Sequence, residues 1–125
     1  MKKPVSAINR PLLNHQIIEV FDVKVETLSD VKILRALVNE ITRRYSFKIL
    51  KSLIYKFSDK GITLMYLLSE SHLVIHTWPE MNYLHIDLLT CDKFPLKIGT
   101  TNLQEIIQEI LHSSNVIISQ INIQD

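Results

Sequence analysis

Between residues 47 and 91, four stretches of strand-type sequence follow one another with only short breaks. They read "FKILKSLIYKF" (47–57), "ITLMYLLS" (62–69), "HLVIHTW" (72–78) and "YLHIDLLTC" (83–91). Each is rich in β-branched and aromatic residues. Such a succession points to a largely antiparallel sheet. "SDKG" (58–61) reads as a turn whose glycine takes an awkward φ. Pro79 ends the fourth segment, because proline donates nothing to a ladder.

The flanks supply the other elements. "QIIEVFDVKV" (16–25) has apolar residues on both parities and predicts a strand. Ser29 or Asp30 can cap a helix whose apolar stripe is Leu34, Leu37, Val38, Ile41 and Tyr45. Arg43 and Arg44 fall at its end, where cations suit the helix dipole. After a loop, "DKFPLKIG" (92–99), Thr101 and Gln104 form a capping box. Leu103, Ile106, Ile107, Ile110 and Leu111 make a second helical stripe, and "NVIISQINI" (115–123) a sixth strand. The order is βαββββαβ. The expected class is α+β: a two-layer α/β sandwich, a mostly antiparallel sheet with two helices packed on one face. Residues 1–13, with Pro4 and Pro11, read as a loose N-terminal arm, and residues 14–125 as a single domain.

Composition narrows the partners. The net charge is +1 with the cations scattered, which favours neither nucleic acid nor an anionic membrane. No apolar run reaches the roughly 18 residues of a membrane span, and no apolar segment follows Lys2 and Lys3 as in a signal peptide. Cys91 is the one cysteine, so no internal disulfide forms. The expected setting is soluble and cytoplasmic.

His72, His76 and His85 invite a metal reading, which the spacing opposes. On a strand, His72 and His76 share a face but stand about 13 Å apart, whereas zinc ligands converge within about 2 Å of one ion. No metal is expected. A hydrolytic serine fares no better: Ser71 and His72 point to opposite faces, and the G-x-S-x-G elbow is absent. Taken singly, His76 suits a hydrogen bond within a sheet, Cys91 suits packing, and Ser71 suits a turn.

Together, Ser69-Glu70-Ser71-His72, His76-Thr77-Trp78-Pro79-Glu80 and Thr90-Cys91 resemble the prokaryotic S-adenosylmethionine decarboxylases, small pyruvoyl enzymes made as proenzymes. The likeness runs from about His15 to Ile123. It implies self-cleavage between Glu70 and Ser71, giving a β chain of residues 1–70 and an α chain of residues 71–125. The Ser71 hydroxyl would attack the Glu70 carbonyl, and β-elimination and hydrolysis would leave a pyruvoyl group. That group, derived from Ser71, forms a Schiff base with the substrate and makes a separate cofactor unnecessary. His76 matches the acceptor of the ester's α-proton, and Cys91 the donor that reprotonates the product. Phe57 and Trp78 are the aromatic candidates for adenine, and Glu80 for the ribose diol. The resemblance further implies spermidine biosynthesis and a homodimer of αβ protomers with sites at the interface. An open sheet face independently favours a partner.

The sequence departs from the family pattern at several places. Thr63 stands where a serine assists processing; it keeps the hydroxyl but is stiffer at χ1. Tyr55 replaces a histidine and Leu64 a glycine, changing volume beside the expected site. Asn82 and Asp92 replace glycines, and both tolerate a left-handed turn. These changes keep two alternatives open. One is a pyruvoyl decarboxylase of arginine or ornithine, with Asp87 or Asp92 receiving the distal cation. The other is a poorly processed regulatory paralogue.

Overall fold

The computed structural model describes residues 9–91 and 100–122. The expected loop at 92–99, Asp92, most of the expected arm and the Thr101 side chain of the expected capping box lie outside the described residues. The elements are β1 (Leu13–Val20), α1 (Val25–Leu28), α2 (Val31–Arg44), β2 (Lys51–Lys56), β3 (Ile62–Leu67), β4 (His72–Trp78), β5 (Tyr83–Cys91), α3 (Thr100–Leu111) and β6 (Val116–Asn122). A 3-10 turn, Pro79–Met81, joins β4 to β5. The strands form one antiparallel sheet in the order β2-β3-β4-β5-β1-β6.

Period-two alternation sorts the sheet into two faces. Ile18, Val20, Leu64, Tyr66, Leu73, Ile75, Leu84, Ile86 and Leu88 are buried with the stripes of α2 (Leu34, Leu37, Val38, Ile41) and α3 (Leu103, Ile106, Ile107, Leu111) in one core. Each such side chain contributes about 1.5–3 kcal/mol on burial. The architecture is the expected two-layer sandwich with both long helices on one face. The other face is open and carries Leu53, Met65, Leu67, Trp78, Ile117 and Ile121 in exposed positions.

Local chemistry moved several boundaries. Asp30, not Ser29, caps α2: its Oδ1 accepts from the Lys32 N–H at 2.9 Å. At the other end Ser46 adopts φ 57°, and the N–H groups of Phe47 and Ser46 reach the carbonyls of Thr42 and Arg43 at 2.8 and 3.3 Å. These are the two bonds of a Schellman close. They consume the residues after α2, so β2 begins at Lys51 and not at residue 47. β1 spans Leu13–Val20 where 16–25 was expected. Asp22 turns the chain with φ 57°, and Val23–Val25 lead into α1, an unexpected single-turn helix.

The "SDKG" turn also differs from its reading. Lys60, not Gly61, takes the positive φ, at 73°. Gly61 sits in close quarters: a Cβ there would lie 3.1 Å from the Thr77 carbonyl oxygen on β4, a tight contact with backbone. Asn82 does take the left-handed conformation expected of it, φ 51°. Leu64 is fully buried in the core, on the face opposite Thr63. It therefore does not change the volume beside the expected site.

Candidate active site

β3 and β4 are joined by a two-residue hairpin turn, Ser69-Glu70. The Leu68 N–H donates to the Ser71 carbonyl at 2.9 Å, and Ser69 has φ 64°. A positive φ at a non-glycine residue is uncommon, and such a place is usually held by glycine. The Glu70–Ser71 bond thus lies within the turn that sets the β3–β4 register. Glu70 is exposed, whereas Ser71 is only 4% exposed. The Cys91 backbone N–H, at the end of β5, donates to Ser71 Oγ at 3.3 Å. Cys91 itself is 6% exposed. Ser71 and Cys91 are therefore brought together.

A second group forms at the far end of β4. Thr63 Oγ1 and His76 Nδ1 are 2.8 Å apart across the β3–β4 ladder. The hydroxyl pins one ring nitrogen and so fixes the plane of the imidazole. Burial, and next the neighbouring His85, hold the His76 imidazole below its ordinary range, while Asp87 pulls the other way. Thr63, His76, Phe57, Trp78 and Glu80 line a common cleft of about 220 Å³. Phe57 and Trp78 are 48% and 39% exposed, so neither is a core residue. Trp78 stands between His76 and Tyr83, with ring centroids 6.0 and 5.5 Å away. Tyr55 lies opposite Thr63 on β2 and meets Phe57 edge-on.

Five residues separate Ser71 from His76, about 16 Å along an extended strand. They also differ in parity: Ser71 belongs with the buried Leu73 and Ile75, His76 with the open face. Within one chain the two expected halves of the machinery are separate.

Sequence reasoning passed over a third constellation. His15 Nε2 lies 2.8 Å from Asp87 Oδ1, and His72 Nε2 lies 3.3 Å from the same oxygen. The antiparallel register is the signal for it: His15 and His72 both pair with Leu89, two residues from Asp87 on the same face. Among the described residues, no three His, Cys, Asp or Glu side chains are grouped to hold a metal ion. No described helix is long and apolar enough to cross a membrane.

The S-adenosylmethionine decarboxylase family model matches residues 14–122. The chain belongs to that family. Among curated relatives, the S-adenosylmethionine decarboxylase proenzyme of Prochlorococcus marinus (strain MIT 9313) is 38% identical over 77 residues, 62% of each chain. That of Moorella thermoacetica is 35% identical over 82 residues, 66% of each chain. The match thus spans less than two thirds of these relatives' length. The adenosylmethionine decarboxylase of Aquifex aeolicus VF5, known from a crystal structure, superposes with a TM-score of 0.74. It covers 90% of this chain and 91% of its own at 24% identity, which is a likeness of fold.

Proposed function

We propose that this family member is a cytoplasmic, self-processing, pyruvoyl-dependent decarboxylase of S-adenosylmethionine, supplying the aminopropyl donor for spermidine synthesis. The observation that carries the reading is the setting of the Glu70–Ser71 bond. It lies in a tight turn, with the Ser71 hydroxyl buried and held by the backbone of Cys91. The curated relatives are named proenzymes, in keeping with a chain that is cut.

In the processing step, Ser71 Oγ adds to the Glu70 carbonyl and displaces the Ser71 nitrogen, giving an ester. A base removes the Ser71 α-proton, the Glu70 carboxylate leaves, and water releases ammonia from the dehydroalanine. His76 suits the base, since an imidazole held below its ordinary range stays neutral and able to accept a proton. Its distance from Ser71 within one chain is the argument for a homodimer in which Thr63 and His76 of a second copy meet Ser71. The open sheet face, with its exposed leucines, isoleucines and Trp78, is the surface such a copy would cover.

Position 71 fits the pyruvoyl group that results: it is buried, it faces a backbone donor, and a thiol sits on the same neighbour. That group supplies a carbonyl that takes the substrate amine and draws off the electron pair left by carbon dioxide. Cys91 holds on its Sγ the proton that the product carbon receives. Phe57 and Trp78 offer exposed flat surfaces for adenine, and Glu80 a carboxylate for the ribose hydroxyls. Asp87 is occupied by two histidines, which weighs against its receiving the cation of arginine or ornithine.

The mass of the denatured protein tests the reading. Two species, residues 1–70 and a pyruvoyl-blocked chain from residue 71, are expected, with carbon dioxide released from S-adenosylmethionine. A single intact chain after long incubation refutes self-processing. Turnover of arginine or ornithine alone refutes the substrate.

A further inference from the structure

A cut between Glu70 and Ser71 turns residue 71 into a chain end. The β3–β4 hairpin is then no longer closed by a covalent turn. Strand ends without a tie fray, because the terminal rungs of a ladder are the cheapest to open. Residue 71 must nevertheless stay against Cys91 for any chemistry between them.

The first residue of β4 is His72. Its side chain leaves the sheet on the open face, and its Nε2 meets Asp87 Oδ1 at 3.3 Å. The same oxygen takes His15 Nε2 at 2.8 Å. β5 lies between β4 and β1, so this one carboxylate spans three adjacent strands at the level of the cut. His15 and His72 flank Leu89 on its two sides, and Asp87 reaches diagonally to both. Its Oδ1 faces no other described hydrogen-bond donor in this arrangement. The three side chains are 31% to 44% exposed, so the arrangement is not explained as repair of a buried polar group.

We infer that Asp87, with His15 and His72, is a strand-end tether that holds residue 71 in register beside Cys91 once the chain has been cut. The three are positioning residues and touch neither substrate nor the reacting atoms. The inference rests on the cleavage reading above.

Its distinctive consequence is a dependence on the cut. In an uncuttable Ser71→Ala chain, the hairpin holds the end of β4 whether or not the tether is present. In the cut protein only the ladder and the tether hold it. The experiment measures amide hydrogen exchange over residues 72–75, with and without Asp87→Ala, in both backgrounds. In the cut protein, Asp87→Ala should speed exchange about fivefold, the scale of one charged hydrogen bond discounted for exposure. In the Ser71→Ala background, the change should stay below about twofold on the same reasoning. In the cut protein kcat should fall about fivefold at unchanged KM, as expected when orientation and not binding is lost.

Equal acceleration in both backgrounds would make Asp87 a general support of the sheet and overturn the tether. So would no acceleration in the cut protein. If Asp87→Ala does not fold or is not cut, His15→Ala releases the anchor from β1 and is read by the same comparison. If the parent chain itself is never cut, the cleavage reading fails and takes the tether with it. If the parent is cut and the variants behave alike, only the tether fails.

Discussion

The separation of Ser71 from His76 makes a prediction about pairs of chains. The two side chains lie about 16 Å apart along β4 and on opposite faces, while proton transfer needs contact at about 3 Å or through one water. No rotamer change closes that gap. If the base comes from a second copy, two inactive chains should rescue one another. A Ser71→Ala chain lacks the nucleophile but keeps His76. A His76→Ala chain lacks the base but keeps Ser71. Each alone should remain whole. In a heterodimer, one site joins Ser71 of the His76→Ala chain to His76 of the Ser71→Ala chain, and the second site has neither. Random assortment of equal amounts makes about half of all dimers mixed, so about half of the His76→Ala chains should be cut. None of the Ser71→Ala chains should be. The assay is the mass of the denatured mixture after co-refolding, with a mass tag on one chain type. Cutting of the His76→Ala protein with no Ser71→Ala chain present, at a rate near the parent's, would refute His76 as the base and with it the shared site. An uncut mixture of chains shown to have exchanged subunits would refute it as well.

Four further outcomes follow from the structure. Cys91→Ala should still be cut, since the hydrogen bond to Ser71 comes from the backbone N–H that the substitution keeps, but carbon dioxide release should fall about 10²–10⁴-fold, the usual worth of a positioned acid. The His76 imidazole is held below its ordinary 6.5 by burial and by His85, so the cutting rate should stay level as pH falls through 6.5 and drop only at lower pH; His85→Ala should move that drop upward, as read by cutting rate against pH. The same depression means that His76 supports folding fully above pH 6.5 and loses that support as pH falls toward its folded value, which chemical denaturation across that window would detect. Gly61→Ala should cost about 1–3 kcal/mol, because its methyl would press on the Thr77 carbonyl 3.1 Å away; an unchanged urea midpoint would contradict this.

Much of the fold was legible where the sequence punctuates itself. β4 and β5 fall on residues 72–78 and 83–91 as read, because Pro79 and the following turn bound them. The two amphipathic stripes identified both long helices. The errors arose where one residue type served another purpose. Val23 and Val25 look like strand but enter α1 after the turn at Asp22. Phe47 looks like strand but closes α2. The candidate site was legible as motif and not as geometry. Linear sequence puts Ser71 and His76 near each other, whereas parity and rise put them apart. The His15–Asp87–His72 group was missed for the opposite reason. Its members are 57 positions or more apart on one side, and only strand order brings β1 beside β5.

That strand order has a consequence for how the protein is made. A cut after residue 70 assigns β1, β2 and β3 to one fragment and β4, β5 and β6 to the other. In the sheet these alternate: two strands of the first fragment, two of the second, then one of each. Neither fragment owns a contiguous sheet, nor a complete helical layer, since α2 and α3 are also divided between them. If it is cut as proposed, the chain has to reach its native topology while still whole. The proposed cut would be a one-way step taken afterward. A cut molecule that unfolds would have to rejoin two interleaved pieces before any pairing of protomers, a concentration-dependent step that the whole precursor does not need.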